Sequence, residues 1–121
     1  FFGDGLISAA RDDAAEVGRW WGTIRRREGG TLRGRSYEAD VVAVDAGGDV
    51  IALGSCKWPG AGNEDHVHDT AELDKLETVR EHLNAPGAAL YFFDRRSFSS
   101  RLRELEAERD DIHLVLADQL G

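Results

Sequence analysis

The chain has 121 residues, which suits one domain with a single core of moderate size. Its composition is 41% hydrophobic and 31% charged, which excludes a disordered chain, and no apolar run approaches the roughly 20 residues of a membrane-spanning helix. The net charge of −8 argues against a protein that grips nucleic acid by bulk electrostatics.

The N-terminal part of the chain predicts one helix followed by three antiparallel strands. Residues 4–17 carry a thin apolar stripe at helical spacing, which ends at Gly18. Three strand-like runs follow, and Gly29-Gly30 and Gly47-Gly48 mark the two turns between them. The second and third runs, YEADVVAVD and DVIALGSCKW, are rich in Val, Ile and Leu, as central strands should be.

The C-terminal part predicts two helices that alternate with two strands. Asp69 and Glu72 imitate a capping box at the start of the first helix, and residues 84–87, Asn-Ala-Pro-Gly, end it. AALYFF is a buried strand, SFSSRLRELEAERDD a second helix, and IHLVLA a last strand. The inward-facing helical positions are Leu73, Leu76, Val79, Leu83, Phe98, Leu102 and Leu105. The predicted fold is α/β, in the order α-β-β-β-α-β-α-β, with a mixed central sheet and helices on both faces.

One segment departs from the acidic character of the chain. Residues 19–35 carry a net charge of +5, so that the remainder carries −13. Phosphate contact is one interpretation of this cluster, and a solvated hairpin face is the alternative. The candidate nucleic-acid-binding residues are Arg25, Arg26, Arg27, Arg33 and Arg35.

Polar residues form pairs on two of the predicted strands. Glu38 and Asp40 are two positions apart on one strand, and Ser55 and Lys57 are two apart on the next, so each pair shares a face. The Gly47-Gly48 turn folds the two strands together, so we expect the acids and the lysine to converge. A lysine beside carboxylates that hold Mg²⁺ can orient water and stabilise the charge that builds on a phosphate. A salt bridge at a sheet edge is the alternative.

The remaining reactive and aromatic residues favour structural roles. One cysteine excludes an internal disulfide, and the lack of a visible signal peptide indicates a cytoplasmic protein. Cys56 points away from Lys57 and is expected to be a small core residue rather than a nucleophile. His66 and His68 favour a solvated loop over a zinc site. We expect Trp20 or Trp21 to pack into the core, with base stacking as the alternative for these two and Trp58.

The layout resembles the PD-(D/E)xK nuclease superfamily, whose pattern is a strand aspartate, a hairpin and then an acid-x-Lys. More narrowly, GRWWG, EADVVAVD, GSCKW, LDKLETVREHL and ALYFFDRRSF are similar to the domain of unknown function that lies behind archaeal-type ATPase modules. This resemblance runs from about Gly18 to the end of the chain. It implies a restriction-endonuclease-like fold, DNA as a partner, and an N-terminal ATPase module in a longer protein of which residues 1–121 are one C-terminal domain. The absence of methionine, even at position 1, agrees with a trimmed piece.

The resemblance also implies roles for individual residues. Asp40 matches the aspartate that holds Mg²⁺ or Mn²⁺, and Lys57 matches the lysine that orients water and stabilises the phosphate. Ser55 stands where the superfamily has its second acid, and a serine hydroxyl is a poor Mg²⁺ ligand beside a carboxylate. Two functions therefore stay open, namely Mg²⁺-dependent DNA cleavage and a catalytically degenerate module that binds DNA or protein.

A further acid is needed to complete the metal shell that the resemblance implies. The superfamily often has an acid on its first helix, for which Glu16 and Asp4 are the candidates. Glu38 on the second strand is the other residue that could join Asp40.

Overall fold

The computed structural model describes residues 14–57, 70–94 and 98–116, with Lys57 described by its backbone alone. Within these ranges it contains five strands and two helices, which form an α/β fold. In chain order they are β1 (Glu16–Glu28), β2 (Thr31–Val44), β3 (Val50–Lys57), α1 (Thr70–His82), β4 (Ala89–Asp94), α2 (Ser100–Glu108) and β5 (Ile112–Leu116). None of the described helices is long and apolar enough to cross a membrane.

The five strands form one mixed sheet in sequential order. β1, β2 and β3 make an antiparallel meander, and β3, β4 and β5 run parallel to one another. This confirms the predicted meander and the strand–helix–strand–helix–strand run that follows it. A meander needs only tight turns, whereas parallel neighbours need a crossover, and the two helices supply those crossovers.

The start of β1 corrects the prediction of a helix over residues 4–17. Glu16 and Val17 lie in β1, where they pair with Val44 and Ala43 of β2. β2 offers backbone groups that need partners, and forming these ladder hydrogen bonds outweighs a short helical pattern. Residues 4–13, which include Asp4, lie outside the described part of the chain.

Glycines make the two predicted turns. Gly29 and Gly30 have φ values of 58° and 82° between β1 and β2, and Gly48 has a φ of 87° between β2 and β3. These left-handed conformations are open to glycine and costly for most other residues. In the second turn, Oδ1 of Asp45 accepts hydrogen bonds from the backbone N–H groups of Gly47 and Asp49, at 2.9 and 3.0 Å.

Local signals also set the ends of the helices. Asn84 adopts a left-handed conformation, with φ 55°, just after α1, and the N–H of Ala85 donates to the carbonyl of Arg80 in a Schellman-type ending. Ser99 caps α2, because its Oγ accepts a hydrogen bond of 3.2 Å from the N–H of Leu102.

Each face of the sheet carries its own apolar cluster. On one face, which we call the helix face, Leu53, Leu90 and Phe92 pack with Leu76 of α1 and Leu102 of α2. The buried residues on the second face are Val41, Ala43, Ala52, Tyr91 and Phe93. β3 and β4 contribute to both clusters, which explains why their sequences are apolar almost throughout.

Both described helices pack on the helix face, whereas the sequence predicts helices on both faces. The first crossover steps from β3 to β4, and the second steps onward from β4 to β5. Because crossovers are right-handed, two steps in the same direction place their helices on the same face. The pattern along each helix is local and carries no information about this direction.

An ion cluster fastens α1 to the start of β5. Asp111 accepts hydrogen bonds from Arg109 at 2.7 Å and from Arg80 of α1 at 2.8 Å. Arg80 also donates to the carbonyl oxygen of Ala88, and Arg109 reaches Glu77 at 3.4 Å. The hydrogen bond from Arg109, aided by that from Arg80, holds the pKa of Asp111 well below its usual range.

We predict that Asp111→Asn lowers the free energy of unfolding by about 1–2 kcal/mol at neutral pH, a figure reduced for the partial exposure of the cluster. A carboxylate with a depressed pKa stabilises the fold above its unfolded pKa of roughly 3.9 and loses this contribution as the pH falls toward the folded pKa. The difference between the variant and the parent should therefore shrink in acid. Urea unfolding at about pH 7 and about pH 3 measures it.

The matched control is Asp110→Asn, which removes the same charge from an exposed neighbour. Equal losses in the two variants at neutral pH would show that net charge, and not the Asp111 cluster, sets the effect.

Candidate functional site

A β-bulge in β2 controls where Asp40 lies. Gly18 pairs with Val42, but Trp20 pairs with Ala39, so β2 has one more residue than β1 across this interval. As a result Ala39 and Val42 both pack with the cluster on the helix face, although they are three positions apart. Bulges re-aim side chains in this way, and here the extra residue lies at Asp40 and Val41.

The bulge lies where β2 and β3 separate. The last backbone pair between these strands is Val41 with Gly54. Beyond it, Oδ2 of Asp40 accepts a hydrogen bond of 2.8 Å from the backbone N–H of Cys56. The Asp40 carboxylate therefore lies between the two strands and satisfies an N–H group that the ladder no longer serves.

A cleft of about 670 Å³ opens at this fork. It is bounded by β1, β2, the end of β3 and the first turns of α1. Its lining residues from the predicted site are Glu38, Asp40 and Ser55, and its walls also include Trp21, Tyr37, Glu72 and Lys75. Three of the four predicted catalytic residues thus share one cleft. The backbone of Lys57 pairs with that of Asp94 on β4, and the side chain of Lys57 lies outside the described part of the chain.

Two cleft residues of α1 and a buried acid of β4 are not among the residues that the sequence pattern predicts for the site. Glu72 and Lys75 line the cleft, and Oε2 of Glu72 lies 3.7 Å from Nζ of Lys75. Asp94 is 2% exposed and ends β4 in register with Lys57. An acid at the end of the apolar run ALYFF was a signal for Asp94. Glu72 and Lys75 had no such signal, because only the packing of α1 brings them to the cleft.

Within the described residues the carboxylates near Asp40 do not assemble into a recognisable cation-binding group. Glu16 pairs with Val44, four residues along β2 from Asp40, or roughly 13 Å at the spacing of a strand. It therefore does not join Asp40 as the second ligand. Three carboxylates line the cleft, those of Glu38, Asp40 and Glu72, yet among the described residues no group of three or more His, Cys, Asp or Glu is arranged to hold a metal. His66 and His68 lie outside the described residues.

Cys56 takes the structural role that its strand position predicts. Its side chain packs against the apolar cluster on the second face. Burial, aided by the Asp40 carboxylate and partly offset by Arg19, raises the pKa of the Cys56 thiol to about 12. A thiol in this environment is a poor nucleophile.

The five candidate arginines divide between the two faces of the β1–β2 hairpin. Strand alternation and the register of the hairpin place Arg26, Arg33 and Arg35 on the helix face. Arg25 and Arg27 lie on the opposite face, which we call the outer face of the hairpin. It is formed by Trp21, Thr23, Arg25 and Arg27 of β1 and by Leu32, Gly34, Ser36 and Glu38 of β2, and all eight residues except Gly34 carry exposed side chains.

Two arginines of the helix face already have partners within the domain. Arg35 makes a bidentate ion pair with Glu28, with both N–O distances at 2.9 Å. Hydrogen bonding to Arg35 lowers the pKa of Glu28. Arg26 donates to Oγ1 of Thr78 on α1 at 3.2 Å. Arg25 and Arg27 form no ion pair with another described residue. Phosphate contact is therefore best served by the outer face.

The two tryptophans of β1 have opposite environments. Trp20 packs against the cluster on the helix face, and its ring lies 5.5 Å from that of His82. This confirms that one of the pair packs into the core. Trp21 is 72% exposed on the outer face. Trp58 lies outside the described residues.

Comparison with known proteins shows the fold and not the family. No protein-family model matches the chain, and no curated protein matches it. The fold is similar to the crystal structure of protein VC1899 from Vibrio cholerae, with a TM-score of 0.59 and 20% sequence identity. The match covers 98% of this chain and 29% of that one, so this chain spans less than a third of that protein. At this identity the likeness supports the α/β arrangement alone.

We predict that Cys56 reacts with iodoacetamide at about pH 8 roughly three orders of magnitude more slowly in the native chain than in urea. The reason is the raised pKa, which leaves far less thiolate than the unfolded thiol has at its usual pKa of about 8.5. Because Cys56 is the chain's only cysteine, mass spectrometry reports on it directly. Equal rates in the two states would contradict the buried environment.

We predict that Ser55→Asp raises the affinity for Mn²⁺, because it adds a further carboxylate to the cleft that Asp40 lines. A hard divalent cation needs anionic oxygen ligands, which a serine hydroxyl does not provide. The measurement is the shift in thermal midpoint on adding excess Mn²⁺.

Ser55→Asn is the matched control for this variant, with nearly the same shape and no charge. A shift of equal size in both variants would show that the added charge does not create a metal site.

Proposed function

We propose that this chain is a DNA-binding domain of restriction-endonuclease-like fold, belonging to the PD-(D/E)xK group, in which phosphodiester cleavage is lost. The observation that carries the proposal is the outer face of the hairpin, which presents two arginines beside a cleft lined by Asp40 and Ser55. The arginines bind phosphates, and the cleft is the inherited position of the catalytic centre.

The charge distribution supports binding at the hairpin rather than over the whole surface. The chain has a net charge of −8, whereas residues 19–35 have +5. A polyanion is repelled by the acidic body and attracted by the hairpin, so contact is confined to a small region. Counterion release from a few phosphates supplies the favourable free energy.

The residues that line the cleft support the proposal that phosphodiester hydrolysis is lost. Ser55 offers a neutral hydroxyl where the superfamily has an acid, and the described acids do not form a metal-binding group. Without a firmly held cation, nothing in the described set lowers the pKa of a water molecule enough to make it a nucleophile at neutral pH. Binding and hydrolysis make separate demands on a site, so the first survives the loss of the second.

The same resemblance supports a location behind an ATPase module in a longer protein. In that longer protein the domain binds DNA, and the ATPase module supplies free energy from ATP hydrolysis. The similarity of GRWWG and GSCKW to the domain that follows archaeal-type ATPases is the support for this partner.

We predict that Arg25→Ala/Arg27→Ala weakens DNA binding and flattens its salt dependence. Losing two phosphate contacts should lower the slope of log K against log salt by about 1.4 for a single strand and about 1.8 for a duplex. Fluorescence anisotropy with labelled oligonucleotides across a salt series measures both the affinity and the slope.

Arg101→Ala/Arg103→Ala on α2 is the matched control, since both of these arginines are exposed and their loss changes the net charge equally. Equal salt slopes in the two double variants would show that DNA contacts a surface other than the hairpin. No binding by the parent chain to either form of DNA would overturn the proposed function.

A further inference from the structure

We infer that the outer face of the hairpin binds single-stranded rather than duplex DNA, with the ring of Trp21 stacked on an unpaired base and with Arg25 and Arg27 on the phosphates that follow. This inference rests on the proposed function and specifies its substrate. The geometry of the β1–β2 hairpin and the exposure of Trp21 on the same face as Arg25 and Arg27 carry it.

The side chains that we infer contact the DNA lie in one row along β1. Trp21, Thr23, Arg25 and Arg27 alternate along β1, so each is about 6.6 Å from the next. Trp21 occupies the end of the row nearest the cleft, and the two arginines occupy the end nearest the turn. An aromatic platform followed by cations along one line is how proteins hold a single strand without reading its sequence.

The ring of Trp21 is not buried in the core, so packing within the fold does not explain why a tryptophan stands at this position. It is 72% exposed, while its neighbour Trp20 fills the place in the core. Single exposed apolar side chains are common, but Trp21 lies on the same face as Arg25 and Arg27, and an aromatic ring beside cations suits contact with another molecule. Among the described residues the other exposed large hydrophobic side chain is Leu32, which lies on the same face opposite Arg27.

Stacking selects the single strand. The faces of bases in a duplex are already covered by their neighbours, so an exposed ring has nothing to stack on unless a base is unpaired. A duplex also spreads its charge over a wide cylinder and would bring phosphates against the acidic body. A single strand can follow the row and avoid that body.

Trp21 also sets the direction of the bound strand. Its ring lines the cleft as well as the outer face, and Glu38 lies opposite it on β2. The acid repels phosphates, so the strand's charged backbone continues toward Arg25 and Arg27 while the base at Trp21 reaches the mouth of the cleft. The DNA thus ends its path beside Asp40 and Ser55.

The test compares Trp21→Ala, Trp21→Phe and the parent chain of 121 residues. Each is titrated into a labelled oligothymidylate of about 20 nucleotides and into a duplex of the same length, and anisotropy is recorded at several salt concentrations. We expect the parent to prefer the single strand. Trp21→Ala should weaken that binding by roughly 5- to 150-fold, the range for losing one base stack, and Trp21→Phe should retain most of the affinity.

The salt slope separates stacking from charge. Removing Trp21 releases no phosphate contact, so the slope for the single strand should not change, unlike that of Arg25→Ala/Arg27→Ala. Circular dichroism and the thermal midpoint check that the variants fold, and the exposure of Trp21 leads us to expect parental values.

Two results would overturn the inference and leave the proposed function standing. One is parental affinity of folded Trp21→Ala for the single strand. The other is tighter binding of the duplex than of the single strand by the parent. The absence of binding to both probes would instead overturn the proposed function together with the inference.

Discussion

The pairs between β3 and β4 continue to the end of β3, whereas the pairs between β3 and β2 stop short of it, and the site depends on this difference. Toward β4, pairs run from Ala52 to Lys57, whereas toward β2 they end at Gly54. A Cβ at Gly54 would lie 3.2 Å from Val41 and 3.3 Å from Phe93, so the glycine lets both neighbouring strands approach closely at the last shared position. Beyond that point the strands separate. The fork that results forms the cleft, and the Asp40 carboxylate satisfies the N–H group left at its apex.

The two faces of the β1–β2 hairpin differ in how much they contribute to the fold. Its helix face contributes Ile24 and Trp20 to the core, and Arg26 bonds to α1. Its outer face contributes nothing comparable and keeps Trp21 and two arginines in solvent. The helix face is sufficient to hold the hairpin in place. Substitutions on the outer face can therefore alter binding with little effect on stability, which makes the proposed function testable without unfolding the domain.

Charge limits what the cleft and the hairpin can do together. The cleft contains Glu38, Asp40 and Glu72, and the hairpin beside it is basic. A polyanion is attracted to the basic hairpin and repelled by the acidic cleft, unless cations neutralise the acids. An added carboxylate at position 55 would favour a divalent cation and would also deepen this negative potential. Under the proposed function, metal binding and DNA binding would therefore be coupled, and the neutral Ser55 would relieve the repulsion at the cost of a ligand.

How much could be predicted depends on whether the physical cause is local. The turns at Gly29-Gly30 and Gly47-Gly48, the end of α1 near Asn84 and the apolar strands follow from backbone conformation and side-chain periodicity within a few residues. The order of elements after the first strand was therefore predictable, and so was the presence of Glu38, Asp40 and Ser55 near one another, since a hairpin joins their strands. The predicted end of the first helix at residue 17 was wrong because pairing of Glu16 and Val17 with β2, a contact between distant residues, decides that part of the segment.

The sequence by itself determined the five strands, the two described helices, the basic segment and the neutral residue at position 55. Only the tertiary structure decided that the β2 bulge places Asp40 at the fork, that both helices lie on one face, and that α1 brings Glu72 and Lys75 to the cleft. It also decided that Arg35 and Arg26 have partners inside the domain while Arg25 and Arg27 do not pair with a described residue. The physical reason is the same in each case. Strand register, crossover direction and side-chain partners depend on which distant segments pack together, and packing over the whole sheet is not encoded in the neighbourhood of any one residue.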